Sequence, residues 1–245
     1  MNIQVNGPKI LWVLFPESLR ITITQTTLTS WIVMAILITA AFFINRNLSV
    51  RKPGKVQVLV EKGVTMIYDM VESIMGSHNL HYAPYIGTLF LSSILGTLLG
   101  MTSVLRSATA DLSTTVAWAL ATSLMQWQGT IKNDGIGAFL KNWINPMNII
   151  SDVAQPISMS FRHFGNIAGG SVMTTLIYTG LAALSSFVLQ WVPVAAIRTI
   201  PIFQLGIPAF LSIYFDLFSG FVQALIFIML TMVFVGGSHP APEKK

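Results

Sequence analysis

Between Trp143 and Ile197 the chain carries only two formal charges, Asp152 and Arg162. A run of that length far exceeds the roughly 20 apolar residues that cross a bilayer. It also sets Arg162 at or near membrane depth, because the arginine lies inside the run and not at its edge. A guanidinium keeps its charge in a protein, and insertion scales put its cost at a helix centre at about 2.5–3.5 kcal/mol. An ionisable group held in lipid at that cost is a functional candidate before it is anything else.

Composition extends this reading to the whole chain. Of 245 residues, 53% are hydrophobic and 9% charged, and the mean hydropathy is +0.68. No soluble domain could place that balance on its surface, so the expected class is a polytopic membrane protein forming one membrane domain over residues 1–245. There is no cysteine, which removes disulfides and thiolate metal sites. His78, His81, His163 and His239 are scattered, and His78 and His81 lack a third ligand nearby, so no metal site and no cofactor is expected. The net charge of +5 is not laid out as a basic groove with interleaved aromatics, which argues against nucleic acid.

Residues 1–20 are interrupted by Pro8 and Pro16 and lack the basic start and apolar core of a cleavable signal. They are expected outside the membrane or along its interface. Residues 22–45 form the first transmembrane helix. Arg46, Arg51, Lys52, Lys55 and Lys62 follow as a basic cluster, which the positive-inside rule assigns to the cytoplasm. Residues 55–76 place Val60, Val64, Ile67, Met70 and Val71 on one helical face, while Glu61, Asp69 and Glu72 break any spanning run. This is the pattern of an amphipathic helix on the membrane surface. Residues 82–128 read as a helical hairpin turning near Arg106. Lys132, Asp134 and Lys141 then lie in a glycine-bearing loop. Residues 146–237 form a long tilted helical hairpin with its turn near Pro193, Arg198 and Pro201.

With five crossings, nine basic residues fall inside (Arg46, Arg51, Lys52, Lys55, Lys62, Lys132, Lys141, Lys244, Lys245) and four outside (Lys9, Arg20, Arg106, Arg198). The amino terminus is then outside and the carboxyl terminus cytoplasmic. The expected fold is all-α, with about five crossing helices, one surface helix on the cytoplasmic side and a long hairpin at the end.

At 3.6 residues per turn Ser158, Arg162, Gly165, Asn166 and Gly169 share a face, so the guanidinium is flanked by residues with little side chain. Glycines alone suit ordinary helix packing. The arginine among them favours close approach by a partner, since a pure packing face gains nothing from a permanent charge. On the last helix Ser212, Asp216, Ser219 and Gln223 fall at spacings of four, three and four. Asp216 can serve as a proton or ion relay if water reaches it, or as a structural partner of Arg162. The relay is favoured, because a tight pair would lock the charge that the preceding helix displays. Asp111 opens a helical segment as either a cap or an ion-entry group. His163 points away from the arginine face, which favours packing or hydrogen bonding over relay.

The run SFRHFGNIAGG after Pro156, followed about sixty residues later by FVQALIF with Gln223, resembles the a subunit of rotary F-type ATP synthases. PYIGTLF, TADLSTTVAWAL and PMNIISDVAQPIS match in the same order, so the resemblance runs from Trp31 onward. It implies a stator subunit that is not itself catalytic. In this family two offset half-channels carry protons or sodium ions to and from a ring of c subunits, and so couple ion flow to rotation. Arg162 would meet the carboxylate of each passing c subunit and block direct leakage. Asn166, Asp216, Gln223, Asp111, Ser171, Ser212 and Ser219 are half-channel candidates, and Ser158, Gly165 and Gly169 form the close-approach face. The implied partners are the c-ring, the b subunits of the peripheral stalk, the remaining synthase subunits and membrane lipid. The inner membrane of a bacterium is the expected site.

The chain departs from the family pattern at Ser171, where a glutamate is common, and at Asp216, where a histidine is common. An acid moved from one helix to its neighbour would keep one titratable group in the outer path. Ser113 stands where an asparagine is typical. The competing class is a stand-alone transporter or channel using Arg162 and Asp216 as a pair. Such a protein should carry an internal repeat with paired broken helices, and none is evident.

Overall fold

The computed structural model describes residues 9–14, 21–46, 48–49, 53–102, 105–189, 203, 211 and 213–240, without the side chains of Leu14, Ile21, Ser171, Phe215 and Asp216. Two strands, β1 (Ile10–Leu14) and β2 (Ile21–Thr24), form an antiparallel pair before the first helix. The helices are α1 (Gln25–Arg46), α2 (Lys55–Met75), α3 (Ala83–Met101), α4 (Leu112–Asn142), α5 (Pro146–Leu189) and α6 (Ser219–Ser238). A π-helical turn, Ile213–Phe218, leads into α6. The protein is an all-α polytopic membrane protein carrying one small hairpin of strands.

Local chemistry sets the boundaries. The first helix starts at Gln25, not at residue 22, because Thr24 ends the strand and its hydroxyl accepts from the Thr27 N–H at 3.4 Å, an N-cap contact. Gly76, at φ +84°, closes α2 in a conformation that a side chain would strain, and its N–H returns to the Glu72 carbonyl. Pro84 stands in the first turn of α3, where its missing donor costs nothing. Asp111 caps α4 through the Ser113 N–H at 3.0 Å.

Residues 132–141, expected as a glycine-bearing loop, do not form one. They are helical, and α4 continues through them to Asn142 with its break confined to Gly135 at φ +84°. Among the described residues, four helical segments are long and apolar enough to cross a membrane by length and composition, and α4 is not one of them. Its charge-free half is diluted by hydroxyls and by Gln126 and Gln128, yet it lies against α5 and α6 as an integral member of the bundle.

The core gathers Val71 and Met75 of α2, Ile86 and Leu89 of α3, Ala119 of α4, Met159 of α5 and Phe227, Ile228, Met232 and Val235 of α6. Only the second half of α2 is inserted; Val64 is exposed while Val71 and Met75 are buried. Close helix approach relies on small residues, as expected where lipid offers no hydrophobic drive to association. A Cβ on Gly220 would stand 2.6 Å from Thr97 Cγ2, and one on Gly129 would collide with the His239 ring. His239 is also held by Tyr82 at 3.1 Å, and its carbonyl accepts from Asn79 at 3.0 Å, which seats the end of α6 against the turn after α2.

Helix α5 has 44 residues, about 66 Å at 1.5 Å per residue. A hydrocarbon core of about 30 Å accommodates it only at a steep tilt. The turn of the expected hairpin, and most of the segment before α6, lie outside the described residues.

Candidate functional site

Arg162 lies near the middle of α5, and its side chain is exposed on the surface of the bundle. Among the described residues it makes no hydrogen bond and no ion pair. Ser158, Gly165 and Gly169 are exposed beside it, and a Cβ added to either glycine meets nothing within 4 Å. These glycines therefore serve no packing against the described residues, unlike Gly220 and Gly129. What the helix presents is a smooth strip with one fixed positive charge.

The opposite side of α5 is anchored. His163, one residue and about 100° further on, is 1% exposed, and its Nε2 is in hydrogen-bond contact with Ser93 Oγ of α3 at 3.1 Å. Its ring packs on Phe227 and Trp118 at centroid distances of 5.1 and 5.9 Å. One turn beyond Arg162, the Asn166 amide donates to the Ser219 carbonyl at 2.9 Å and accepts from the Ser219 hydroxyl at 2.6 Å. This two-point clamp ties α5 to the first residue of α6. Gln223, a turn further along α6, is 7% exposed, and its amide Nε2 has no hydrogen-bond partner among the described residues. A buried donor left unpaired costs about 1–3 kcal/mol, so Gln223 holds a polar group where packing alone would favour an apolar one.

Two openings flank this arrangement. A groove of about 310 Å³ is lined by Ser151, Gln155, Ser158 and Arg162 of α5 with Leu230 and Phe234 of α6. It follows the half of α5 that leads up to Arg162. A second cavity of about 300 Å³ is lined by Thr97, Gly100, Arg106, Ser107, Ile167 and Thr174. It begins five residues past Arg162, about 7.5 Å along the axis and on nearly the opposite face at 100° per residue.

The candidates are thus only partly brought together. Ser158 and Arg162 share the groove, and Asn166 and Ser219 are bonded, with Gln223 beside them. Asp111 is not bonded to Arg162. Its carboxylate caps α4 and accepts from Thr26 Oγ1 at 2.8 Å, although its neighbour Ala110 lines the second cavity. Ser212 and the side chains of Ser171 and Asp216 lie outside the described residues. Ser93, Thr97, Ser107 and Thr174 escape sequence reasoning, because isolated hydroxyls on three separate segments carry no periodic signal.

A bundle of membrane helices that displays an intramembrane cation on a bare face, between two openings on opposite sides of one long helix, defines an ion-transport membrane protein. The family model for the ATP synthase A chain matches residues 27–236, and the chain belongs to that family. It is a membrane-sector subunit of an F-type ATP synthase. Similar proteins include the sodium ion specific ATP synthase subunit a of Propionigenium modestum, 32% identical over 96% of this chain and 86% of that protein. ATP synthase subunit a 1 of Crocosphaera subtropica is 30% identical over 92% and 91%. ATP synthase subunit a of Legionella pneumophila is 29% identical over 91% and 90%.

Proposed function

We propose that this subunit is the stator channel that passes protons or sodium ions, through two offset half-channels, to and from a c-ring. The observation that carries this is the strip of Ser158, Arg162, Gly165 and Gly169, which is exposed along its length, with no atom of a described residue within 4 Å of a Cβ at either glycine. A rotor helix could come within backbone distance there, and its carboxylate would meet the guanidinium as the only fixed charge on the strip. The groove ending at Arg162 and the cavity starting near Ile167 support the offset: an ion leaving one reaches the other only by riding the rotor. Arg162 blocks the direct route, since a cation passing between the two would have to move by a permanent positive charge.

The remaining candidates take their roles from position. Gln223 offers a buried donor near the rotor face, the Asn166–Ser219 clamp fixes the spacing of α5 and α6, and Asp111 stands beside the second cavity. Asp216 supplies the titratable group of the outer path, with Ser212 and Ser171 near it in sequence. The basic cluster from Arg46 to Lys62 sets the amino terminus outside and the carboxyl terminus in the cytoplasm of a bacterial inner membrane. The b subunits and the rest of the synthase complete the complex. Each unit charge moved through 100 mV contributes about 2.3 kcal/mol, so several ions per turn supply the rotary work.

The test is ion flux and coupled ATP synthesis by the whole complex in reconstituted vesicles, with and without sodium. Arg162→Ala should abolish coupled synthesis in an assembled complex, and Asp216→Asn should slow flux more than it weakens assembly. Intact coupling in Arg162→Ala would leave the subunit a scaffold. Dependence of flux on sodium identifies the ion.

A further inference from the structure

The β1–β2 hairpin supplies none of the half-channel candidates, and its composition is unusual for a segment at the end of a membrane helix. Ile10, Leu11, Trp12 and Val13 are all exposed, Trp12 at 74%. Successive residues of a strand point to opposite faces, so both faces of β1 are apolar, and neither is covered by a described residue. A water-facing ribbon would not carry this pattern. A ribbon buried in hydrocarbon is equally excluded, because the outer edges of a two-stranded sheet leave backbone N–H and C=O groups unpaired, and lipid cannot satisfy them.

The connection to α1 sets the depth. The Gln25 N–H donates to the Lys9 carbonyl at 3.0 Å, and Ile10 pairs with Thr24, so β1 starts beside the first residue of the helix. The apolar part of α1, from Trp31 to Ile44, is centred about 19 Å from Gln25 at 1.5 Å per residue. Trp12 pairs with Ile23, two residues before Gln25, which adds or subtracts at most about 7 Å at strand spacing. With α1 along the bilayer normal, Trp12 falls about 12–26 Å from the midplane whatever the tilt of the hairpin. The headgroup zone begins about 15 Å out and ends a little beyond 20 Å. Tryptophan concentrates in that zone, where its apolar ring and N–H are both accommodated, and Lys9 is exposed beside it.

We propose that the β1–β2 hairpin is an interfacial anchor, seated among the lipid headgroups of the leaflet at the amino-terminal end of α1 with Trp12 as its principal contact. The bilayer that surrounds α1 continues directly onto the hairpin, and the headgroup layer alone offers water to the strand edges and apolar volume to the side chains.

The absence of cysteine makes the test direct. Val13→Cys gives the single cysteine of this subunit, and in a whole complex whose other subunits have had any cysteine replaced it takes one nitroxide, embedded in lipid nanodiscs with Trp12 intact. Collisional relaxation by oxygen should exceed that by a water-soluble nickel chelate several-fold. In parallel, lipid brominated on its upper acyl carbons should quench the emission lost in Trp12→Phe. A label relaxed mainly by the chelate would overturn the proposal in favour of a solvated hairpin. A label protected from both agents would overturn it in favour of a protein strand or helix covering β1.

Discussion

The contact between His163 and Ser93 anchors the side of α5 turned away from the charged face, and its energy can be read by a double-mutant cycle. Both residues are almost fully buried, at 1% and 3% exposure, and their polar atoms are 3.1 Å apart. Ser93→Ala leaves the imidazole with no hydrogen bond among the described residues, because Nδ1 has none already. The expected loss is about 1–3 kcal/mol. His163→Phe keeps a ring against Phe227 and Trp118 and strands only a hydroxyl, which can turn back to a carbonyl of its own helix as Thr97 does towards Ser93. It should cost about 0.5–1 kcal/mol, near the 0.6 kcal/mol average for interhelical hydrogen bonds in membranes. The double variant should lose less than the sum, by about 0.6–1.7 kcal/mol, since neither group is then left alone. Unfolding of the full chain by sodium dodecyl sulfate titration in mixed micelles reads all four corners of the cycle. Additivity within about 0.3 kcal/mol would refute the claim that this bond holds the rotation of α5.

Gly220→Ala should destabilise the chain by about 1–3 kcal/mol through overpacking, since the new Cβ would sit 2.6 Å from Thr97 Cγ2; adding Thr97→Ala should restore most of the loss in the same titration. Gly165→Leu should behave in the opposite way. Nothing lies within 4 Å of that position, so the isolated chain keeps its stability, while coupled ATP synthesis by the assembled complex falls by an order of magnitude or more; unchanged synthesis would mean that no rotor approaches there.

What could be read from the sequence followed the strength of each signal. Helix α5 and the outward strip were legible because a long run with only two charges and a 3.6-residue spacing are local facts. The direction of His163 was legible for the same reason, whereas its partner is seventy residues away on another helix and left no trace. The strands carry no such signal, because the six apolar residues between Pro8 and Pro16 are too few to span and the prolines read as breakers. The segment 132–141 read as a loop because its charges and glycines outweigh weak helical periodicity; the helix absorbs them with a single distortion at Gly135. The two openings beside α5 need the packed bundle, since Arg106, Ser107 and Thr174 converge only through the path of the chain between α3 and α4.

The central claim is that the Arg162 strip faces a moving rotor, and site-directed disulfide formation tests it most directly. In a complex whose a subunit has no native cysteine, Ser158→Cys and Gly169→Cys would each be paired with a cysteine placed one turn from the ion-binding carboxylate of the c subunit. The account predicts rapid cross-linking at both positions, loss of ATP-driven ion pumping on oxidation, and recovery on reduction. Failure of either position to cross-link to the rotor, with efficient cross-linking to a static subunit instead, would contradict it.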